Sequence, residues 1–209
     1  MKSLFIGGSS QLAEDLAKRL KDVDSISKSK CKNYSKVFKI KNYKVFNIKK
    51  IFKNIKKKYD NVVIFNGQYQ NSTLSNFSKI EFKESFYINF EIPLLFATEI
   101  INNKFLNKNG SIFFLSSIAA DSSSTGNAYY SLSKNALNYA AKILSDEQKK
   151  RGVRVNVISV GIMNNRMGKS TLVNFSHKKF KFVKKESYIN KMIKVLKNKK
   201  INKKKIFIK

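Results

Sequence analysis

An apolar run, Ser3 to Ile6, breaks at Gly7-Gly8-Ser9-Ser10 and passes into a segment that sets Leu12, Leu16, Ala17 and Leu20 on one helical face. Strand, glycine turn and helix in that order constrain the fold more than any other feature, because a parallel neighbour for the first strand requires a crossover of helix length. Further strand-like runs lie at Ser25 to Ser27, Val37 to Ile40, Val62 to Phe65, Ser111 to Leu115, Val155 to Ser159 and Ile206 to Ile208. Helical stretches separate most of them, and short apolar strands alternating with amphipathic helices give an α/β fold, a doubly wound parallel sheet with right-handed crossovers. Neither a repeat nor a linker interrupts the 209 residues, which read as a single domain large enough to bury its own core. Pro93 falls inside a helical stretch and is expected to kink it. Lys28 to Lys58 is the least legible part of the chain.

The segment SSIAADSSSTGNAYYSLSKNAL carries the chemistry. Tyr130 and Lys134 are four apart, so on a helix the phenol and the ammonium share a face, and the cation is expected to lower the phenol's pKa. An unperturbed phenol, with a pKa near ~10, is too weakly acidic to act as a base near neutrality without such help. Nine tyrosines among 39 lysines give about two Tyr-x-x-x-Lys spacings by chance, so the pair needs its context. That context is Ser117, thirteen residues ahead of Tyr130. Tyr129 has Ser133, not a lysine, four residues on. Taken singly, each residue has an ordinary explanation: a loop hydroxyl for Ser117, a helix face for Tyr130, a solvated charge for Lys134 and a polar helix contact for Asn89.

In this order the landmarks resemble those of the short-chain dehydrogenase/reductase family, over nearly the whole chain. The family's Thr-Gly-x-x-x-Gly-x-Gly turn aligns with Ile6-Gly7-Gly8-Ser9-Ser10-Gln11-Leu12-Ala13. Its Asn-Ala-Gly aligns with Asn66-Gly67-Gln68, its helix asparagine with Asn89, and its Arg-Val-Asn-x-x-x-Pro-Gly with Arg154 to Gly161. The resemblance implies a Rossmann-like domain over 1–209, with a shortened substrate-loop region around 162–185. It implies an NAD(P)(H)-dependent oxidoreductase that transfers hydride between the nicotinamide and a small-molecule or carrier-bound carbonyl or alcohol. Tyr130 would be the general acid or base, Ser117 would bind the substrate carbonyl, Lys134 would hold the nicotinamide ribose, and Asn89 would anchor a water that relays a proton to Lys134. Gly7, Ser9, Ser10, Gln11, Leu12, Asn66, Gly67, Tyr130, Lys134 and Gly161 would meet the cofactor, with amides and a helix N-terminus facing its phosphates. Gln11 and Ala13 replace the second and third glycines, Val160 replaces a proline, and Asn165 stands where a threonine often binds the carboxamide. An acid after the second strand would bind a ribose 2′-hydroxyl. Ser27, Lys28, Ser29 and Lys30 stand there instead, which favours NADP(H) over NAD(H). A homodimer or homotetramer is typical of the resemblance, and Ala136, Leu137, Ala140, Ala141 and Leu144 are available to pack on a partner's helix.

Composition bounds the alternatives. One cysteine, Cys31, excludes an internal disulfide, and with His177 as the only histidine there is no Cys/His cluster for a metal. No run of about 18 apolar residues exists to span a membrane, and the first residues lack a signal peptide's apolar region, so a cytoplasmic protein is expected. The formal net charge is +30, yet only Arg19, Arg151, Arg154 and Arg166 are arginines, and the other 39 of the 43 cations are lysines. That pattern fits A/T-rich coding better than a nucleic-acid site, and no specific nucleic-acid partner is expected. The alternative to an enzyme is a non-catalytic dinucleotide-binding sensor or scaffold. His177 lies in the region of the substrate loop, where a surface role is expected.

Overall fold

A computed structural model of the chain describes residues 1–123, 125–172 and 181–209, and His177 lies outside them. The strands are β1 (Lys2–Ile6), β2 (Asp22–Ser27), β3 (Lys36–Lys39), β4 (Tyr59–Ile64), β5 (Leu106–Ser117), β6 (Arg154–Val160) and β7 (Lys205–Ile208). They form one all-parallel sheet in the order β3-β2-β1-β4-β5-β6-β7. The order reverses between β1 and β4, which opens a crevice at the carboxyl ends of those two strands, where doubly wound sheets bind ligands.

The strands divide their side chains between two cores. Leu4 and Ile6, Val62 and Ile64, Ile112 and Phe114, and Val155 and Val157 join one cluster. Phe5, Val63, Phe113 and Ile158 join the other. This alternation is the period of two that a pleated strand imposes, with both faces buried as a parallel sheet demands. On the first face pack α2 (Val45–Lys53), α4 (Ile92–Asn102) and α5 (Ala128–Glu147), through Ile48, Phe52, Phe96, Ile100 and Leu137. On the second pack α1 (Gln11–Ala17) and α7 (Lys185–Lys197), through Ala13, Leu16, Tyr188 and Met192. The faces of α5 are therefore other than expected. Leu137 and Ala141 are buried in the protein's own core, because the helix must cover β5 and β6, and the outward stripe is Leu132, Tyr139 and Ile143.

Pro93 sits in the first turn of α4, and the distortion lies just ahead of it. The helix α3 (Lys79–Phe86) runs through a π-helical turn, Tyr87–Glu91, into α4. The lysine-rich stretch resolves into edge strand β3 and helix α2, each carrying only a few inward side chains.

The turn after β1 is tightly specified. Gly7 has φ +78, a left-handed conformation suited to glycine, and Ser10 N–H closes the turn on the Gly7 carbonyl at 3.0 Å. A Cβ on Gly8 would lie 2.0 Å from Ser25 Oγ and 3.1 Å from Tyr34 Cζ. Gly8→Ala is therefore expected to destabilise the protein by about 1–3 kcal/mol through overpacking, read as a lowered urea midpoint, whereas an unchanged midpoint would show that the turn has room.

Candidate active site

Three strand ends and one long helix build the site. Residue Ser117 ends β5, where its Oγ accepts from Ala119 N–H at 3.2 Å. The helix α5 starts eleven residues later and carries Tyr130 in its first turn and Lys134 one turn on. Its start is fastened to the loop after β4: Tyr129 N–H donates to Ser72 Oγ at 3.0 Å, and Ala128 N–H to the Ser72 carbonyl at 3.1 Å. Tyr129 is an anchor, fully buried, and its phenol oxygen accepts from Ser78 N–H at 2.7 Å. The phenol of Tyr130 instead meets the Ser117 hydroxyl and lines a cavity.

Lys134 is not solvated. Its ammonium is buried and donates to the Asn66 carbonyl at 3.1 Å and the Leu115 carbonyl at 3.0 Å. An ammonium has three donors, so one N–H remains for a ligand. With two carbonyl dipoles and no carboxylate to offset the lost water, burial pushes its pKa down to about 7. Burial also raises the Tyr130 phenol to about 12, the Ser117 hydrogen bond pulling against that and the neighbouring Tyr69 adding to it. The expected lowering by Lys134 is therefore not realised in this structure. Enclosure of the phenol sets the direction, and Lys134, its own affinity for a proton lowered by burial, does not reverse it.

Asn89 is completely buried in the π-helical turn. It clasps one peptide, accepting from Gln68 N–H at 2.7 Å and donating to the Gln68 carbonyl at 3.0 Å, and its amide also donates to Ser85 Oγ at 3.2 Å. A Cβ on Gly67 would lie 3.0 Å from Lys134 Nζ and 3.4 Å from Asn89 Oδ1, so these three residues converge. Ser117, Tyr130, Lys134 and Asn89 are thus gathered at one place.

The residues expected at a dinucleotide lie beside them. Ser10 caps α1 by accepting from Ala13 N–H, Ser9 and Gln11 are exposed, and Gln11 takes the first helical position. Gly7 abuts Asn66, at whose side a Cβ would come within 3.3 Å of the backbone nitrogen, and Asn66 Oδ1 is buried without a partner. A backbone kept this bare, with a spare Lys134 donor beneath it, fits an extended dinucleotide lying from the turn to Tyr130. Gly161 and Leu12 line the cavity, which encloses about 270 Å³ between the ends of β5 and β6 and the helix α6 (Arg166–Leu172). Asn165 Oδ1 accepts from Gly168 N–H at 2.8 Å, which leaves its NH₂ to donate elsewhere. Sequence reasoning missed Tyr69. It lines the same cavity, stands edge-on to Tyr130 with ring centroids 5.6 Å apart, and donates to the Gly126 carbonyl at 3.0 Å. Its place directly after the Asn66-Gly67-Gln68 turn was the available signal.

A doubly wound parallel sheet with this strand order defines a Rossmann-type fold, and the Ser, Tyr and Lys grouping lies beside its switch point. The chain belongs to the short-chain dehydrogenase/reductase family: the family model described as Enoyl-(Acyl carrier protein) reductase matches residues 11–197. It is similar to an uncharacterized oxidoreductase of Methylorubrum extorquens, 32% identical over 102 residues, 49% of this chain and 40% of the relative. A tropinone reductase homolog of Arabidopsis thaliana is 29% identical over 122 residues, 57% of this chain and 39% of the relative. The aligned stretches therefore span about two fifths of these relatives. Solved structures show the same fold. A short chain dehydrogenase family protein from Francisella tularensis superposes with a TM-score of 0.84 at 18% identity, covering 99% of this chain and 96% of that one. A short chain dehydrogenase from Burkholderia cenocepacia, solved in complex with NADP, gives 0.80 at 15% identity, covering 99% and 95%.

The depressed Lys134 has a consequence for stability. The native lysine holds its proton less tightly than the unfolded one, so between about pH 7 and 10.5 the unfolded chain binds more protons and stability rises with pH. Unfolding free energies of wild type and Lys134→Met should therefore diverge in favour of wild type from pH 7 to 9, by up to about 1.4 kcal/mol per pH unit. A constant difference would mean that the ammonium keeps its ordinary affinity for the proton.

Proposed function

We propose that the protein is a cytoplasmic NADP(H)-dependent reductase of a neutral carbonyl compound, small or carrier-bound. The observation that carries this reading is the Tyr130 phenol beside the Ser117 hydroxyl on a cavity lined, among the described residues, by no charged side chain, with Lys134 and Asn89 converging on Gly67. When bound, the nicotinamide supplies the hydride. With its pKa raised to about 12, the Tyr130 phenol stays protonated at neutral pH and is the proton donor to the carbonyl oxygen as negative charge develops there. The Ser117 hydroxyl, already bonded to that phenol, orients the same oxygen. Lys134 directs its third N–H to the ribose. Asn89, which clasps the Gln68 peptide beside Lys134, is the anchor for a water that exchanges protons with Lys134. Gly7, Ser9, Ser10, Gln11 and Leu12 cradle the pyrophosphate, Asn66, Gly67 and Gly161 leave space for the nicotinamide riboside, and Asn165 offers its NH₂ to the carboxamide.

NADP(H) is favoured because no acid follows β2. Ser27 ends that strand with a buried, unpartnered hydroxyl, and Lys28 and Lys30 are exposed beside it. A homodimer or homotetramer would use the outward stripe of α5, Leu132, Tyr139 and Ile143, which lie about one and two turns apart on one face.

Tyr130→Phe should lower the rate of carbonyl reduction by about 10²–10⁴-fold while leaving NADPH binding unchanged. Equal turnover in the variant would contradict the assigned role, and a dinucleotide-binding protein without turnover in either form would mean a sensor. Lys28→Glu together with Lys30→Glu should weaken NADPH at least about tenfold and leave NADH nearly as before. An equal loss of both would remove the preference from these lysines.

A further inference from the structure

Apart from Lys28 and Lys30, which the proposed function places at the cofactor, the lysine-rich stretch is not absorbed by the active site, and the structure gives it a shape. Between Lys28 and Lys58, 13 of 31 residues are lysine and none is acidic, although the chain holds 13 acids elsewhere. A third of the 39 lysines fall in these 31 residues; a comparable run, 14 in 32, lies at 178–209, where Glu186 stands among them. The fold collects them on one margin: β3 is the outermost strand, and α2 lies over the same edge with Ile48, Ile51 and Phe52 turned inward beside Phe38 and Ile40. Among the described residues only Lys57 of this stretch has a carboxylate partner, Asp22 and Asp24, each at 3.0 Å.

Apolar side chains project from the midst of these charges. Phe46 is 74% exposed, Val45 45% and Val37 38%, with Lys49, Lys50 and Lys53 on the outward face of the same helix. Val45 and Phe46 open α2, directly after the loop that leaves the carboxyl end of β3. In a parallel sheet that is the end at which the cavity lies.

We infer that the β3–α2 margin docks on an anionic lipid bilayer, with Phe46 and Val45 entering the headgroup boundary and the lysines neutralising the lipid phosphates. Lysine is a strongly hydrated point charge that needs no defined acceptor geometry, which suits a fluid field of headgroups, and the patch contains none of the four arginines that bidentate phosphate or base recognition would favour. An exposed aromatic among lysines on a short amphipathic helix is the makeup of an interfacial anchor. Docked in this way, the cavity end of the sheet faces the membrane.

The test is sedimentation of the full chain with vesicles of phosphatidylcholine alone and of phosphatidylcholine with an equal part of phosphatidylglycerol. Wild type should bind the mixed vesicles and leave the neutral ones. Phe46→Ser, which keeps the charge, should weaken binding at least about tenfold, the value of withdrawing a buried ring. Lys49→Gln, Lys50→Gln and Lys53→Gln together should weaken it roughly a hundredfold, at about fivefold for each lysine near the surface. A charge-matched control on α7, Lys191→Gln with Lys194→Gln and Lys197→Gln, should change it less than about threefold. A control that weakens binding as much as the α2 set would reduce the effect to net charge and overturn the inference, as would absence of binding. Equally tight binding of a double-stranded oligonucleotide that survives Phe46→Ser would overturn it in favour of nucleic acid.

Discussion

The ammonium of Lys134, taken out of water and held by the carbonyls of Asn66 and Leu115, is the interaction on which the site depends. Those carbonyls lie at the ends of two adjacent parallel strands, β4 and β5, and the lysine comes from the helix that covers them. One side chain thus fixes the helix against the sheet beside the crevice that the strand order opens between β1 and β4. Burying a charge without a carboxylate is unfavourable, and its cost appears as the pKa lowered to about 7. Such an arrangement persists only where the rest of the fold over-determines it.

That over-determination is visible in the surrounding backbone. The loop after β4 is clasped at Gln68 by Asn89, joined to the start of α5 through Ser72, and tied to Gly126 by Tyr69. The π-helical turn gives Asn89 its inward position, and Pro93 opens the helix just beyond it. Tyr129 holds the far side of the loop, so its neighbour Tyr130 can lie in the cavity with nothing to do but meet Ser117. Behind these contacts the two cores are built mainly of Ile, Val, Leu and Phe.

Much of this was legible in the chain, for definite reasons. The strands of the sheet's interior were the clearest, because strands buried on both faces are short apolar runs between turns, and even the three-residue run at Ser25 to Ser27 marks the end of β2. The pairing of Tyr130 with Lys134, and the exclusion of Tyr129, followed from helical spacing alone. What spacing could not supply was environment. Lys134 reads in sequence as one lysine among 39, and only the closed sheet shows that it is buried, which reverses the expected direction for the Tyr130 phenol. Likewise Leu137 and Ala141 read as a free helix face until β5 and β6 are seen to need them. Between Lys28 and Lys58, lysine at nearly every other position hid the period of both β3 and α2, whose few inward residues, Phe38, Ile48, Ile51 and Phe52, carry the whole signal.

The most direct measurement is titration of the purified protein with NADPH and with NADH, following tyrosine fluorescence and the emission of the reduced nicotinamide. Micromolar affinity for NADPH and markedly weaker affinity for NADH is the result the proposed function predicts, since no acid follows β2 and Lys28 and Lys30 stand exposed there. Failure of either dinucleotide to bind would contradict the account at its centre, leaving the buried Lys134 and its neighbours as a structural knot without a cofactor.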